Sequence, residues 1–243
     1  LGALTEIIGD EKYLINELKK LNVDGYKIEI SKKVKNGITG TYVDVILENE
    51  NNHKHGNHEH RNLSDINKII DNSLLEEKVK EMAKKIFMRV AKAESKVHNT
   101  NVADIHLHEV GAKDAIADIV SCCYLIDFLK IKEITASPIV TGYGEVKSAH
   151  GILPVPAPAT AEILKGLPNE KGNIKSELTT PTGAGLIKYF AKEITNNYPM
   201  TYSKIGYGAG NKDFEKPNCV RVFLSDNNTS TVYELRCQID DMT

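Results

Sequence analysis

Apolar residues recur at helical spacing through Leu14, Leu18 and Leu21, which predicts a helix over residues 11–21 after a shorter one over residues 1–8. The period then changes to two. Tyr26, Ile28 and Ile30 share one face of a predicted strand over residues 26–34, and Val43, Val45 and Leu47 answer it over residues 38–47. Asn36-Gly37 sits between them, and both residues tolerate the positive φ that a two-residue hairpin turn requires.

The helical period returns with Leu75, Val79, Met82, Ile86 and Val90. This predicts a helix from Leu74 to about His98 capped by Ser73, after a short helix over residues 65–71 capped by Ser64. His98, at the end of the longer helix, reads as a surface residue that suits the helix dipole rather than as a ligand. Another apolar helix is predicted over residues 114–129. Residues 131–141, rich in Ile, Val and Thr, read as a strand.

Three alternating prolines, Pro154, Pro156 and Pro158, force a rigid extended strap behind His150, and Pro158 can open a helix because its missing N–H costs nothing there. Thr180-Pro181 opens a helix expected to run to Ile194. Gly206, Gly208 and Gly210 read as a glycine-rich turn. Residues 217–224 and 231–239 read as two strands of one hairpin.

The expected fold class is α+β, with mixed helices and β-hairpins and a larger α/β C-terminal half. The expected division is a helix pair plus hairpin over residues 1–50, a His-rich loop over 51–62, a helical segment over 63–100 and a mixed α/β part over 101–243.

Composition changes this picture little. The chain has 243 residues, 41% hydrophobic and 26% charged, with a net charge of −2. Such a balance gives no general pull towards nucleic acid or an anionic membrane, and no apolar run approaches the ~20 residues of a membrane span. Cys122, Cys123, Cys219 and Cys237 form no C-x-x-C pair, so they read as small core residues of a protein in a reducing cytoplasm.

Histidines and carboxylates change it more. His53, His55, His58 and His60 crowd a stretch without apolar residues, which suits capture of nickel, copper or zinc. Around Gly111, His106, His108 and Glu109 precede Asp114 and Asp118. An extended 105–110 segment would put His106 and His108 on one face, and a helix would put Asp114 and Asp118 one turn apart. That polar corner suits a divalent ion or a phosphate–metal complex. Thr179, Thr180, Thr182 and Gly183 gather hydroxyls and N–H groups at a helix start, which suits phosphate or carboxylate. A G-K-[ST] ending is missing there, so a P-loop is not supported.

Five stretches, taken in order, resemble one family. They are His108-Glu109-Val110-Gly111-Ala112 with Asp114 and Asp118, His150-Gly151 with the strap Pro154-Val155-Pro156-Ala157-Pro158-Ala159-Thr160, Leu178-Thr179-Thr180-Pro181-Thr182-Gly183-Ala184, Gly206-Tyr207-Gly208-Ala209-Gly210, and Ile239-Asp240-Asp241-Met242-Thr243. Together they resemble the LarC family of nickel-insertion proteins in nickel-pincer nucleotide synthesis.

The resemblance implies insertion of nickel into pyridinium-3,5-bisthiocarboxylic acid mononucleotide, forming Ni–S bonds and a Ni–C bond. It implies a CTP-dependent nickel chelatase (cyclometallase, lyase class) that uses CTP hydrolysis with Mn²⁺ or Mg²⁺. The product is the cofactor of lactate racemase and related enzymes. On that resemblance the chain is an N-terminal portion, opening at Leu1-Gly2-Ala3-Leu4, with the CTP-binding part beyond Thr243. The full-length protein is expected to be a homo-oligomer acting on a small-molecule substrate.

The roles expected are nickel gathering by His53, His55, His58 and His60, and a metal site at His106, His108, Asp114 and Asp118. His108, Glu109 and His150 are the expected catalytic groups. Thr179, Thr180, Thr182 and Gly183, with His150, are expected to hold the substrate's phosphate or carboxyl groups. The rival reading is a non-catalytic nickel or zinc store or metallochaperone. A metal-dependent hydrolase would fit the polar corner but not the proline strap.

Overall fold

The computed structural model describes residues 1–47, 61–107, 110–197, 201–225 and 234–236. Helices α1 (Gly2–Ile8) and α2 (Glu11–Leu18) open the chain, and the Asp10 carboxylate caps α2 by accepting the Tyr13 N–H at 3.1 Å. Strands β1 (Tyr26–Lys35) and β2 (Ile38–Leu47) pair antiparallel. Their turn places Asn36 at φ 49° and Gly37 at φ 84°, as the Asn-Gly pair predicts.

After β3 (Arg61–Asn62) comes α3 (Leu63–Asp71). Its cap is Asn62 rather than the expected Ser64. The Asn62 side chain accepts the Asp65 N–H at 3.0 Å, and the Asp65 carboxylate accepts the Asn62 N–H at 3.3 Å. Helix α4 (Glu77–His98) starts later than the expected Leu74, because Ser73 Oγ donates to the Ile70 carbonyl at 2.6 Å and closes the preceding helix instead.

Strand β4 (His106–Leu107) pairs antiparallel with β3. Helix α5 (Lys113–Phe128) follows, and every residue from 115 to 127 is buried. A helix apolar on most of its circumference has to lie inside, and α5 touches α1, α2, β2, α4 and α7.

The expected strand over residues 131–141 is broken at Ser137-Pro138 into β5 (Ile134–Ala136) and β6 (Ile139–Val140). Strands β7 (Glu145–Ser148) and β8 (Gly151–Pro154) form a hairpin. Helix α6 (Pro158–Leu164) starts on its proline, and β9 (Asn169–Glu170) runs parallel to β6.

Helix α7 (Pro181–Phe190) stops short of the expected Ile194, because β10 (Ala191–Ile194) leaves it to pair parallel with β5. The expected glycine-rich turn is instead mostly strand β11 (Lys204–Ala209). Strand β12 (Cys219–Leu224) pairs antiparallel with it, and β13 (Glu234–Arg236) with β12.

Among the described residues the main sheet has seven strands in the order β1-β2-β11-β12-β13-β5-β10. The N-terminal hairpin therefore shares one sheet with the C-terminal strands, joined where β2 runs parallel to β11. Helix α1 lies directly on that seam. A Cβ on Gly206 would stand 2.1 Å from the Ala3 carbonyl oxygen, so only glycine permits this approach. The fold is α+β. Among the described residues no helix is long and apolar enough to cross a membrane.

Candidate substrate and metal sites

Where α1, α5, α7 and the end of β11 meet, they enclose a cavity of about 210 Å³. Its walls are largely apolar, with Val43, Val110, Leu186 and Phe190 among them. Its charged side chains, among the described residues, are three carboxylates: Asp114, Asp118 and Glu177. Among the described residues no lysine, arginine or histidine side chain lines it.

Asp114 and Asp118 enter together because they are four residues apart on α5. Asp118 is 2% exposed, and neither of its carboxylate oxygens has a hydrogen-bond partner among the described residues. Burial pushes its pKa up to about 8, and the neighbouring carboxylates Asp114 and Asp44 add to the rise. Cys122, one turn further along α5, also lines the cavity, and burial pushes its thiol up. It therefore stays protonated, consistent with a core role rather than that of a thiolate ligand.

The opposite wall is the start of α7. Thr180 Oγ1 caps the helix by accepting the Gly183 N–H at 3.3 Å, and Thr182 and Gly183 line the cavity with it. Thr179 is turned elsewhere. It is fully buried, and its hydroxyl donates to the Val140 carbonyl at 2.7 Å, tying the α7 entry to β6.

The fold brings Asp114 and Asp118 together with Thr180, Thr182 and Gly183, two groups read separately from the sequence. It adds Glu177 and Asn211, which sequence reasoning missed. The available signal for Glu177 was a carboxylate next to the buried run Leu178-Thr179, itself 6% exposed.

His106 and His150 do not line this cavity. Leu107 points inward from β4, so by strand alternation His106 points out. His150 lies in the turn of the β7–β8 hairpin and is exposed. Both line a separate cavity of about 70 Å³, together with His98 and Glu94. Pro181 borders both cavities. Among the described residues no group of three or more His, Cys, Asp or Glu side chains is already assembled to hold a metal ion. His53, His55, His58 and His60, and His108 with Glu109, lie outside the described residues.

The model of the nickel insertion protein family matches residues 1–243. Three relatives carry the name pyridinium-3,5-bisthiocarboxylic acid mononucleotide nickel insertion protein. The one from Clostridium kluyveri is 45% identical over 255 residues, the one from Clostridium acetobutylicum 44% over 273, and the one from Acetivibrio thermocellus 44% over 251. Each match covers 100% of this chain and 63%, 65% and 62% of the respective relative, a little under two thirds. No solved structure matches the chain. A family match from the first residue to the last, on a fold that sets Asp114, Asp118, the helix start at Thr180, Thr182 and Gly183, and Gly208 and Gly210 around one acidic cavity, makes this chain a member of the nickel insertion protein family.

Proposed function

We propose that the acidic cavity is where nickel meets a pyridinium-3,5-bisthiocarboxylic acid mononucleotide, the substrate in the relatives' name. The observation that carries this reading is the cavity's chemistry: apolar walls on which, among the described residues, the charged side chains are the carboxylates Asp114, Asp118 and Glu177. The flat faces of a pyridinium ring pack favourably on apolar surface, and nearby negative charge offsets the positive charge on its ring nitrogen. A divalent ion is attracted by the same three carboxylates.

Size agrees. An apolar cavity of about 150 Å³ takes a benzene ring, so about 210 Å³ suits a substituted six-membered ring with its ribose phosphate outside. The anionic substituents have a separate partner in the start of α7, where the positive end of the helix dipole faces the cavity at Thr182 and Gly183.

The division of labour follows. Asp114, Asp118 and Glu177 hold positive charge, and the α7 start orients negative groups. The apolar walls exclude water, which strengthens both attractions. Sulfur substituents at ring positions 3 and 5 flank position 4, and borderline ions such as nickel favour sulfur, so the substrate itself supplies the soft ligands. The protein's carboxylates guide the ion without competing for it at the end.

CTP and its Mn²⁺ or Mg²⁺ are assigned, by the family resemblance, to the part of the full-length relatives outside this chain. The full-length protein is read as a cytoplasmic CTP-dependent cyclometallase and a homo-oligomer. The His-rich stretch at residues 53–60 is read as a nickel collector, which a non-catalytic metal store would share. The acidic cavity favours the insertase over that rival.

The test is nickel insertion by the full-length protein carrying Asp118→Asn, followed by mass spectrometry of the nucleotide product. Insertion is expected to fall by about a hundredfold or more, the loss typical when a buried electrostatic group at a reaction centre is removed. A folded D118N variant that inserts nickel at the parent rate would sink the reading.

A further inference from the structure

Three imidazoles from three separate elements face the cavity of about 70 Å³, and the chemistry proposed for the acidic cavity uses none of them. His98 is the last residue of α4, His106 the outward residue of β4, and His150 lies in the β7–β8 turn. Their positions in the sequence give no hint of proximity; the fold alone gathers them.

Local structure presents each ring. Asn99, at φ 52°, ends α4 immediately after His98. Glu94, one turn earlier, places its Oε2 3.6 Å from His98 Nε2. A carboxylate against one ring nitrogen orients the imidazole and leaves the other nitrogen for a metal. At the hairpin, Ser148 Oγ accepts the His150 N–H at 3.1 Å and donates to the Gly151 carbonyl at 3.2 Å, which fixes the turn that carries His150.

The result is a contact between two imidazoles from distant elements. The His98 and His150 ring centroids are 4.6 Å apart, with ring planes at 45°. Two imidazoles bound through nitrogen to one ion at ~2.0–2.1 Å hold their ring centres about 4.5–5 Å apart. The site also lies at the carbonyl end of a 22-residue helix, where the dipole favours a cation, and Glu94 adds formal negative charge. The cavity of about 70 Å³ has room for an ion and its remaining water ligands.

We propose that His98, His106 and His150, with Glu94 behind His98, form a binding site for one borderline divalent transition-metal ion of the nickel or zinc class. The ion bridges the assembled His98–His150 pair and draws His106 onto it by a side-chain rotation. Imidazole is the ligand type such ions share. Because Pro181 borders both cavities, the site stages the ion beside the acidic cavity. This staging role rests on the proposed function; the metal site itself does not.

The experiment uses the full-length protein with His53, His55, His58 and His60 all changed to Asn, so that residues 53–60 no longer capture metal. Ni²⁺ alone, without CTP, is titrated by calorimetry, and the bound ion's nitrogen ligands are counted by X-ray absorption. One ion per chain with imidazole ligands is expected. His98→Ala and His150→Ala should each weaken it by about tenfold or more and remove one imidazole from the count. These rings are at the surface, so metal-free melting temperatures should stay at the parent value. Unchanged nickel affinity and ligand count in both variants would overturn the proposal, as would no nickel binding at all in the starting protein. Adding Asp118→Asn separates the two readings: it should remove insertion while leaving this nickel affinity intact.

Discussion

Asp118 is the residue on which the chemistry turns. A buried carboxylate whose pKa stands at about 8 is mostly neutral in the folded protein at pH 7, while in the unfolded chain it ionises near its ordinary value. The folded state therefore holds the extra proton. The stability this contributes is fully present below about pH 4 and is lost as pH rises through about 8. Urea denaturation at a series of pH values should show stability declining by up to several kcal/mol across that window. D118N should flatten the decline, because an amide does not titrate. A cation entering the cavity pulls the same group towards its ionised form. Substrate binding near pH 7 should then release close to one proton per site, measurable by calorimetry in buffers of different ionisation enthalpy. Thr180 makes a smaller structural contribution. Removing its cap with Thr180→Ala should cost about 1 kcal/mol in the same denaturation experiment, while Thr180→Ser should cost much less.

At the scale of elements, local patterns were legible wherever local forces decide. Asn36-Gly37 fixed its hairpin, and the i, i+4 spacing of Asp114 and Asp118 put both on one helical face. Where tertiary pairing decides, the pattern misled. Residues 191–194 continue a helical pattern, yet they leave α7 because β5 offers an open edge for parallel pairing. Gly206 and Gly208 looked like turn residues because glycine is rare in strands. Their role is set by α1 resting on β11, with Ala3 against both glycines, a tertiary contact that no local pattern encodes. Gly206→Ala should therefore lift α1 from the seam and destabilise the protein by roughly 1–3 kcal/mol, read as a lower urea midpoint. An unchanged midpoint would show that α1 contributes little there.

At the scale of the whole molecule, the candidate site was legible in parts but not as an assembly. Asp114, Asp118, Thr180, Thr182 and Gly183 were each visible as chemistry, but their meeting depends on α5 running through the core to face the start of α7. The histidines show the converse. His106 was grouped with Asp114 and Asp118 by proximity in sequence, whereas strand alternation at β4 turns it to the other cavity, beside His98 and His150. Two sites thus emerge, one acidic and largely apolar, one rich in imidazole, with Pro181 between them. The most direct measurement of the central claim is equilibrium binding of pyridinium-3,5-bisthiocarboxylic acid mononucleotide, without nickel, to the full-length protein and to its D118N variant. If the acidic cavity seats the cationic ring, D118N should bind at least about tenfold more weakly, a loss of about 1.4 kcal/mol. Equal affinity in the two folded proteins would mean that the ring binds elsewhere.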